Sequence, residues 1–333
     1  MQQNISLRLS PADAADDNLV IDQAAQSLAV KKESITGFHR IKQSIDARSR
    51  QQVWINLTVK IFINEPFLKR ICEELSLHNV SNSKHSVLII GAGPAGLFAA
   101  LKLIELGIKP TILERGKDVR ARRRDLAVLN KEGLVNPESN YCFGEGGAGT
   151  YSDGKLYTRS SKRGNIDRIL NIFVQFGADE KILYESHPHI GTNKLPHIIT
   201  AIREKIIECG GEVLFEKKVI DFILHNDIVK GVATADGNTF HGDAVILATG
   251  HSARDIFQLL HAKKIHIEAK PFALGVRIEH PQTLIDSIQY HCTNRGDFLP
   301  PASYGLVAAG AIIPPGHIQK LNTPFWFTCS TNP

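Results

Sequence analysis

Apolar and polar positions along residues 1–80 alternate in some segments and repeat at helical spacing in others. Residues 18–30 place apolar side chains at spacings of three and four, which predicts a helix, and residues 67–75 predict a second one. Strand-like patterns occupy three segments: 4–10, 35–48 and 52–63. The order approaches a ferredoxin-like layout, so we predict a small α+β domain over residues 1–80 and a linker at 81–86.

The pattern changes after the linker. Residues 87–90 form a continuous apolar run, typical of a strand covered on both faces, and glycines follow at once within residues 91–96. An apolar helix and a second short strand at 111–113 complete a strand–turn–helix–strand unit. We predict an α/β, Rossmann-like domain with a parallel sheet and a β-meander over residues 87–270. Residues 210–223 read as a pair of strands, and the meander that follows has predicted turns at Asn226–Asp227 and Asp236–Gly237.

Each residue of this unit has a chemical reason to be there. Gly91 lets the chain leave the strand, Gly93 lets the backbone approach a pyrophosphate, and Gly96 brings helix and sheet close together. The following helix N-terminus favours an anion. Glu114, at the end of the second strand, offers a carboxylate to both hydroxyls of a ribose, so the unit predicts a bound dinucleotide.

Two further segments favour FAD over NAD as that dinucleotide. Residues 142–156 form a short polar loop rich in glycine, about thirty residues past Glu114, where the backbone can close over a second part of an extended ligand. Residues 244–250 read as a buried strand ending at Thr249–Gly250, a turn that passes close to FAD in two-dinucleotide flavoenzymes.

Longer motifs carry a family resemblance: residues 113–116, 143–156, 188–195, 248–255, 270–286 and 298–307. At these residues the chain resembles bacterial FAD-dependent proteins usually described as predicted NAD(FAD)-utilising dehydrogenases, within the glutathione-reductase-like flavoprotein superfamily. The resemblance implies an FAD-dependent oxidoreductase or dehydrogenase of undefined substrate, with NAD(P)H or another donor returning electrons to the flavin.

The resemblance also implies roles for particular residues. Glu114 would bind the adenosine ribose, Val219 would bring strand backbone against the adenine, and Thr249–Gly250 would lie along the cofactor. Gly146–Gly147 would lie near the FAD phosphates or the flavin. The full set of expected FAD-binding residues is Gly91, Gly93, Pro94, Ala95, Gly96, Glu114, Arg115, Gly116, Gly146, Gly147, Val219, Thr249 and Gly250. No catalytic acid or base is assigned.

Composition narrows the class further. A chain of 333 residues with 43% hydrophobic and 22% charged residues is ordinary for a globular protein, and a net charge of +5 does not by itself imply a polyanionic partner. Residues 1–30 contain no long apolar run, so we expect neither a secretory signal nor a membrane-spanning helix, and a cytoplasmic location. The scattered cysteines lack a C-x-x-C pair, which argues against disulfides, a metal site and a redox dithiol.

Several side chains leave alternatives open. The cations of residues 1–80 suggest RNA contact or a solvated sheet face: Lys31, Lys32, Arg40, Lys42, Arg48 and Arg50. A non-redox flavoprotein or RNA-modification accessory is therefore the alternative function. The run 116–125, with Arg120, Arg122, Arg123 and Arg124, either neutralises phosphate or forms a solvated helix face, and Arg115 shares the phosphate option. Cys142 is either a reactive thiol beside the flavin or a small buried residue.

Histidines and arginines outside the glycine motifs are candidates for contact with substrate or cofactor. His189 lies in the 188–195 motif. The stronger candidates follow the turn at residue 250 or lie in the 270–286 motif: His251, Arg254, Arg277 and His280. Capping and ion pairing are the competing explanation for each.

The end of the chain departs from the family pattern. After residue 307 the sequence no longer matches, and family members continue with a substrate domain and a final glycine-rich segment over the flavin. We therefore expect residues 271–333 to be the start of an incomplete substrate domain in a truncated or frameshifted product, with reduced affinity for FAD.

Overall fold

The computed structural model describes residues 1–70, 74–158, 164–226, 228–269, 279–308 and 325–328. The chain divides into two compact units. The small unit comprises residues 1–70, 184–186 and 268–333, and the large unit comprises residues 71–183 and 187–267. The sequence-based domain boundaries at residues 80, 86 and 270 stay predictions.

The described strands are β1 (Gln2–Leu9), β2 (Ile35–Asp46), β3 (Trp54–Ile63), β4 (Ser86–Ile90), β5 (Lys109–Leu113), β6 (Glu212–Leu214), β7 (Val219–His225), β8 (Ile228–Thr234), β9 (Thr239–His241), β10 (Ala244–Leu247), β11 (Gly305–Ala308) and β12 (Phe325–Thr328). The described α-helices are α1 (Pro11–Ala15), α2 (Asp17–Leu28), α3 (Pro94–Glu105), α4 (Val119–Glu132), α5 (Ile166–Gln175), α6 (Leu195–Glu208), α7 (Arg254–Ala262) and α8 (Gln282–Tyr290).

The small unit contains a three-stranded antiparallel sheet in the order β1-β3-β2. Alternate residues of β3, including Leu57, Val59 and Ile61, are buried, and they share one core with Val20 of α2 and Ile285 of α8. The predicted β-α-β-β order of a small α+β domain is confirmed.

The second helix predicted over residues 67–75 is wrong for the residues that are described there: 67–70 and 74–75 are not helical. Phe67 packs edge-on against Phe62 of β3, with ring centroids 5.3 Å apart, and lies 4.9 Å from the His39 ring. The apolar side chain that suggested a helix face serves instead in an aromatic cluster against the sheet.

The large unit contains a parallel sheet in the order β10-β4-β5-β6. Ile89 of β4 faces a core formed with α3 and α6, whereas Leu88 and Ile90 face a second core formed with β7, β8 and α7. Residues 87–90 are all buried, as the continuous apolar run predicts. A Rossmann-like layering with a parallel sheet is therefore confirmed.

The expectation that residues 244–250 form a buried strand is wrong. Among the described strands, β10 is an edge strand with β4 as its sheet neighbour, and Leu247 is 41% exposed. An edge strand has a paired neighbour on one side alone, so its apolar composition does not guarantee burial.

The β-meander is confirmed as an antiparallel sheet in the order β7-β8-β9. Its second turn is closed by a hydrogen bond from the Gly237 amide to the Thr234 carbonyl at 3.0 Å, as predicted. Of the other predicted turn, Asn226–Asp227, the second residue lies outside the described residues. β6 and β7 were expected to pair, but β6 joins β5 in the parallel sheet.

No described helix combines the length and the apolar character needed to cross a membrane.

Candidate dinucleotide-binding site

A cavity of about 600 Å³ opens beside the carboxyl ends of β4 and β5, within the large unit. This volume lies in the range of roughly 300–1,000 Å³ that is usual for cofactor sites. Most of the predicted FAD-binding residues line it: Gly91, Gly93, Pro94, Ala95, Glu114, Arg115, Gly147, Val219, Thr249 and Gly250. Gly96, Gly116 and Gly146 do not.

The glycine turn after β4 is closely packed. Gly91 has φ +110°, and a Cβ there would lie 2.5 Å from the Ala248 carbonyl oxygen. A Cβ on Gly96 would lie 2.0 Å from the Gly91 carbonyl oxygen. Both positions therefore require glycine for the protein's own packing, and Gly96 brings α3 against the sheet as predicted.

Gly93 is different, because its surroundings in the protein are open. It precedes α3 as the N-cap residue with φ −75°, and a Cβ on it would have the Gly147 Cα as its nearest neighbour, at 3.9 Å. No side chain caps the helix, so its first N–H groups face the cavity region without a side-chain acceptor. An open glycine at an uncapped helix N-terminus fits a phosphate-bearing ligand.

Glu114 is 5% exposed and holds three backbone segments together. Its Oε2 accepts the Ala92 amide at 2.7 Å, and its Oε1 accepts the amides of Gly116 at 2.8 Å and Gly144 at 3.0 Å. A carboxylate has about four acceptor positions. Three are therefore used within the protein, which leaves about one for a ribose hydroxyl where two were expected to bind.

Gly116 and Gly146 lie behind the cavity wall and act through packing. A Cβ on Gly116 would lie 2.6 Å from the Gly144 Cα, and one on Gly146 would lie 2.2 Å from the Thr150 Oγ1. Gly146 also has φ +78°, a conformation that favours glycine. Gly116 therefore allows residues 140–150 to lie against the turn that follows β5, and Gly146 allows the same loop to pack on itself and against Ile199 of α6.

Arg115 lines the cavity but is already paired with acidic groups. Its guanidinium lies 3.2 Å from the Glu138 Oε2, bonds to Asp255 as well, and stacks over the Phe143 ring at 4.4 Å. The side chain is therefore held in place by two carboxylates and a ring. The expectation that Arg115 neutralises phosphate stays a prediction.

The arginine run on α4 divides into buried and exposed members. Arg122 is 1% exposed and donates to the carbonyl oxygens of Asn140 at 2.9 Å and Glu145 at 2.7 Å, and to the Thr150 hydroxyl at 3.0 Å. Burial lowers its pKa from the usual arginine range. Arg122 thus holds the glycine loop. The prediction of a solvated helix face applies to the other three arginines of the run, which are exposed: Arg120, Arg123 and Arg124.

Glu145 lies in the same loop and is fully buried. Its Oε2 accepts the Val119 amide at 2.7 Å and Arg203 of α6 at 3.1 Å, whereas its Oε1 has no hydrogen-bond partner. Burial raises the pKa of this carboxyl, although the Val119 amide and Arg203 oppose the rise. The loop is therefore attached to the start of α4 and to its neighbouring helix α6 through the hydrogen bonds of one buried carboxyl group.

Sequence reasoning missed a whole cavity wall, the apolar face of α7. Ala253, the N-cap residue of α7, lines the cavity together with Ile256, Phe257 and Leu260 of the helix, and the four positions have helical spacing. The signal was present, since these positions follow the i, i+3, i+4, i+7 pattern directly after the Thr249–Gly250 turn. Phe143 also lines the cavity and was not singled out.

The remaining candidates have varied outcomes. Cys142 and His251 line the cavity, and Cys142 is exposed, so its interpretation as a small buried residue is wrong. His280 bonds to the Tyr304 hydroxyl at 2.8 Å in the small unit. His189 forms a β-bridge with Lys155, and Arg277 lies outside the described residues.

The cations of the small unit are partly neutralised. Lys32 pairs with Asp22 at 2.6 Å, and Arg40 pairs with Asp17 at 2.8 Å. Arg48 pairs with Asp46 at 2.8 Å. RNA contact therefore stays a prediction, and these ion pairs leave fewer unpaired positive charges to support it. Across the described part of the chain, no group of three or more His, Cys, Asp or Glu side chains is arranged to hold a metal ion.

The layered parallel sheet, the glycine turn and the cavity at the carboxyl edge define the class: a Rossmann-like dinucleotide-binding protein. A family described as pyridine nucleotide-disulphide oxidoreductase matches residues 85–269, more than half of the chain. The chain therefore belongs to this family. Residues 271–312 match a family described as FAD-dependent protein, C-terminal domain-like, and residues 1–62 match a domain of unknown function.

Relatives support the same class. An uncharacterized protein of Clostridium beijerinckii is 37% identical over 316 residues, which cover 91% of this chain and 58% of that protein. A thiamine thiazole synthase of Archaeoglobus fulgidus is 27% identical over 213 residues, covering 60% of this chain and 68% of the synthase. An L-aspartate oxidase of Clostridium acetobutylicum is 28% identical over 189 residues, which cover 51% of this chain and 43% of the oxidase.

The solved structure of THI4 from Thermovibrio ammonificans matches with a TM-score of 0.36 and 18% identity, over 55% of this chain and 64% of that one. The chain spans about three fifths of the length of its Clostridium beijerinckii relative. The family matches confirm the prediction of an FAD-dependent oxidoreductase family, and the narrower superfamily assignment stays a prediction.

Proposed function

We propose that this chain binds FAD in the cavity at the carboxyl edge of the parallel sheet and forms the cofactor-binding part of an oxidoreductase. The observation that carries the proposal is the environment of Gly93. Apart from its chain neighbours Ala92 and Pro94, no residue would have an atom closer than 3.9 Å to a Cβ at this position, so the protein's own packing does not require glycine there. Close approach of a ligand to the backbone does require it.

The cavity walls offer matching groups to each part of the cofactor. The uncapped start of α3 would face the pyrophosphate, and the remaining acceptor position of Glu114 would take one ribose hydroxyl. Val219 and the apolar face of α7 would enclose the adenine.

Bound FAD would supply the hydride or electron-pair chemistry, and the protein would supply binding and orientation. The cavity lining offers backbone atoms and apolar side chains for this orientation. The Cys142 thiol and the His251 ring are two polar side chains that also line it. We propose NAD(P)H as the reductant and a small molecule as the substrate, whose identity these residues do not determine.

The test is Gly93→Val, measured as flavin absorbance per protein after purification. The branched side chain would occupy the space of the pyrophosphate, while extended backbone at φ −75° and ψ −178° accepts valine without strain. We expect a folded, colourless protein, with Gly93→Ala intermediate. Normal flavin content in the folded valine variant would overturn the proposal.

A separate titration tests the reductant. Bleaching of the flavin by NADPH under anaerobic conditions, without RNA, supports the redox function. No reduction by NADPH, combined with RNA binding that weakens with salt, supports the alternative of an RNA-binding flavoprotein.

A further inference from the structure

A second cavity of about 520 Å³ lies next to the first in the large unit. Residues 140–143 form one part of its lining, and His251, Ser252 and Arg254 form another. Leu129 and Val135 complete the lining. Cys142, Phe143, His251 and Ser252 line both cavities, so these four residues form the partition between them. Leu129, Val135 and Arg254 line the second cavity and not the first, and they have no role in the FAD binding proposed above.

The lining of the second cavity is cationic. It contains Arg254 and no carboxylate. Arg254 is exposed and has no acidic partner among the described residues, since Asp255, the next residue, is bonded to Arg115. The two arginines beside the partition therefore differ: Arg115 is neutralised by two carboxylates, and Arg254 keeps a free guanidinium.

The rest of the lining fits the organic part of a small anion. Ser252 offers a hydroxyl, which lies 3.3 Å from the His251 ring. Leu129, Val135 and the Phe143 ring supply apolar surface on the other walls. A planar guanidinium recognises the two oxygens of a carboxylate or phosphate by paired hydrogen bonds.

We propose that the second cavity binds a small organic anion, a phosphate monoester or a carboxylate with an apolar or aromatic body, through Arg254. The site is distinct from the FAD cavity. The two ligands would lie on opposite sides of the partition formed by Cys142, Phe143, His251 and Ser252. The proposal goes beyond FAD binding and does not depend on it.

Calorimetric titration of the purified chain with phenyl phosphate, benzoate and neutral benzamide tests the proposal. We expect at least one anion to bind and benzamide not to bind; the stronger of the two anions identifies the head group. Arg254→Ala should weaken binding by roughly tenfold, about 1.4 kcal/mol, and Arg254→Lys should weaken it less. Arg124→Ala, which removes an exposed arginine from α4 outside either cavity, should bind as the parent does.

Flavin retention, measured in the same variants, separates this proposal from the preceding one. We expect Arg254→Ala to keep its flavin content. Equal anion binding by Arg254→Ala and the parent, or binding of neither anion by the parent, would overturn the second site. Loss of flavin in Arg254→Ala would also overturn it, because Arg254 would then belong to the cofactor site. Normal flavin content in Gly93→Val would overturn the placement of FAD against Gly93 and would leave the second site untouched.

Discussion

The two glycine-rich segments at the cavity, residues 91–96 and 140–150, are held in place by different kinds of interaction. The turn at residues 91–96 is fixed by close contacts between backbone atoms, such as the approach of Gly96 to the Gly91 carbonyl. The loop at residues 140–150 is fixed by the hydrogen bonds of buried ionisable side chains, chiefly Arg122 and Glu145. The difference shows that similar glycine spacing can depend either on steric fit within one local unit or on charged groups supplied from distant helices.

The largest expected effect is on the loop, from Arg122→Leu. Removal of the guanidinium leaves the buried Glu145 carbonyl oxygen and the half-buried Asn140 carbonyl oxygen without this donor, so the free energy of unfolding should fall by about 3–5 kcal/mol. Urea denaturation measures it. Arg124→Leu, on the exposed face of the same helix, should stay within about 0.5 kcal/mol of the parent. A loss below about 1 kcal/mol in Arg122→Leu would show that the loop does not depend on this charge.

The next effect is on the turn, from Gly96→Ala. A methyl group 2.0 Å from the Gly91 carbonyl oxygen forces the backbone of α3 to move, at a cost of about 3 kcal/mol. Gly93→Ala is the matched control, since beyond the neighbouring residues its methyl group meets no atom closer than the Gly147 Cα at 3.9 Å. Thermal unfolding of the two variants compares them. Equal melting temperatures would contradict steric control of the turn.

Glu114→Gln sharpens the comparison, because this carboxylate touches both segments. An amide keeps one acceptor oxygen but turns a donor group toward the backbone N–H groups that bonded to the other oxygen. We expect a loss of about 2 kcal/mol in unfolding free energy and a lower flavin content. Unchanged stability with lowered flavin content would mean that Glu114 acts on the ligand alone.

The smallest effect is the pH dependence of the loop, tested with Glu145→Gln. Burial raises the pKa of Glu145 in the folded chain, so its contribution to stability is complete below the usual glutamate pKa and is lost as pH rises through the raised value. The parent should therefore lose stability relative to Glu145→Gln as the pH rises from the usual glutamate pKa through the raised pKa of Glu145. Urea unfolding at several pH values checks this, with exposed Glu204→Gln as the control. A constant difference across pH would refute the raised pKa.

The turn was predictable from sequence because its strand, its glycines and the approach of Gly96 to Gly91 all lie within one strand–turn–helix unit. Val87 to Ile90 give the strand, and the spacing of Gly91, Gly93 and Gly96 gives the turn. Local chemistry is enough for such a unit, so the prediction and the structure agree there.

The support of the loop was not predicted, because four arginines in a run of ten residues look alike by composition. Helical spacing distinguishes one of them: Arg122 lies four residues before buried Leu126, on the same face of α4. Its partners at residues 140–150 lie beyond the helix, so no local pattern indicates them. The exposure of β10 was missed for a similar reason, since strand order in a sheet is not a property of the strand's own sequence.

The three amides bonded to Glu114 have a consequence for local opening. Ala92, Gly116 and Gly144 belong to segments outside the regular helices and strands, which ordinarily exchange their amide hydrogens with solvent quickly. Because one buried carboxylate holds all three, none can open fully without disturbing the others. Deuterium should therefore enter these three positions slowly and at a common rate, so that residues far apart in sequence open as one cooperative element.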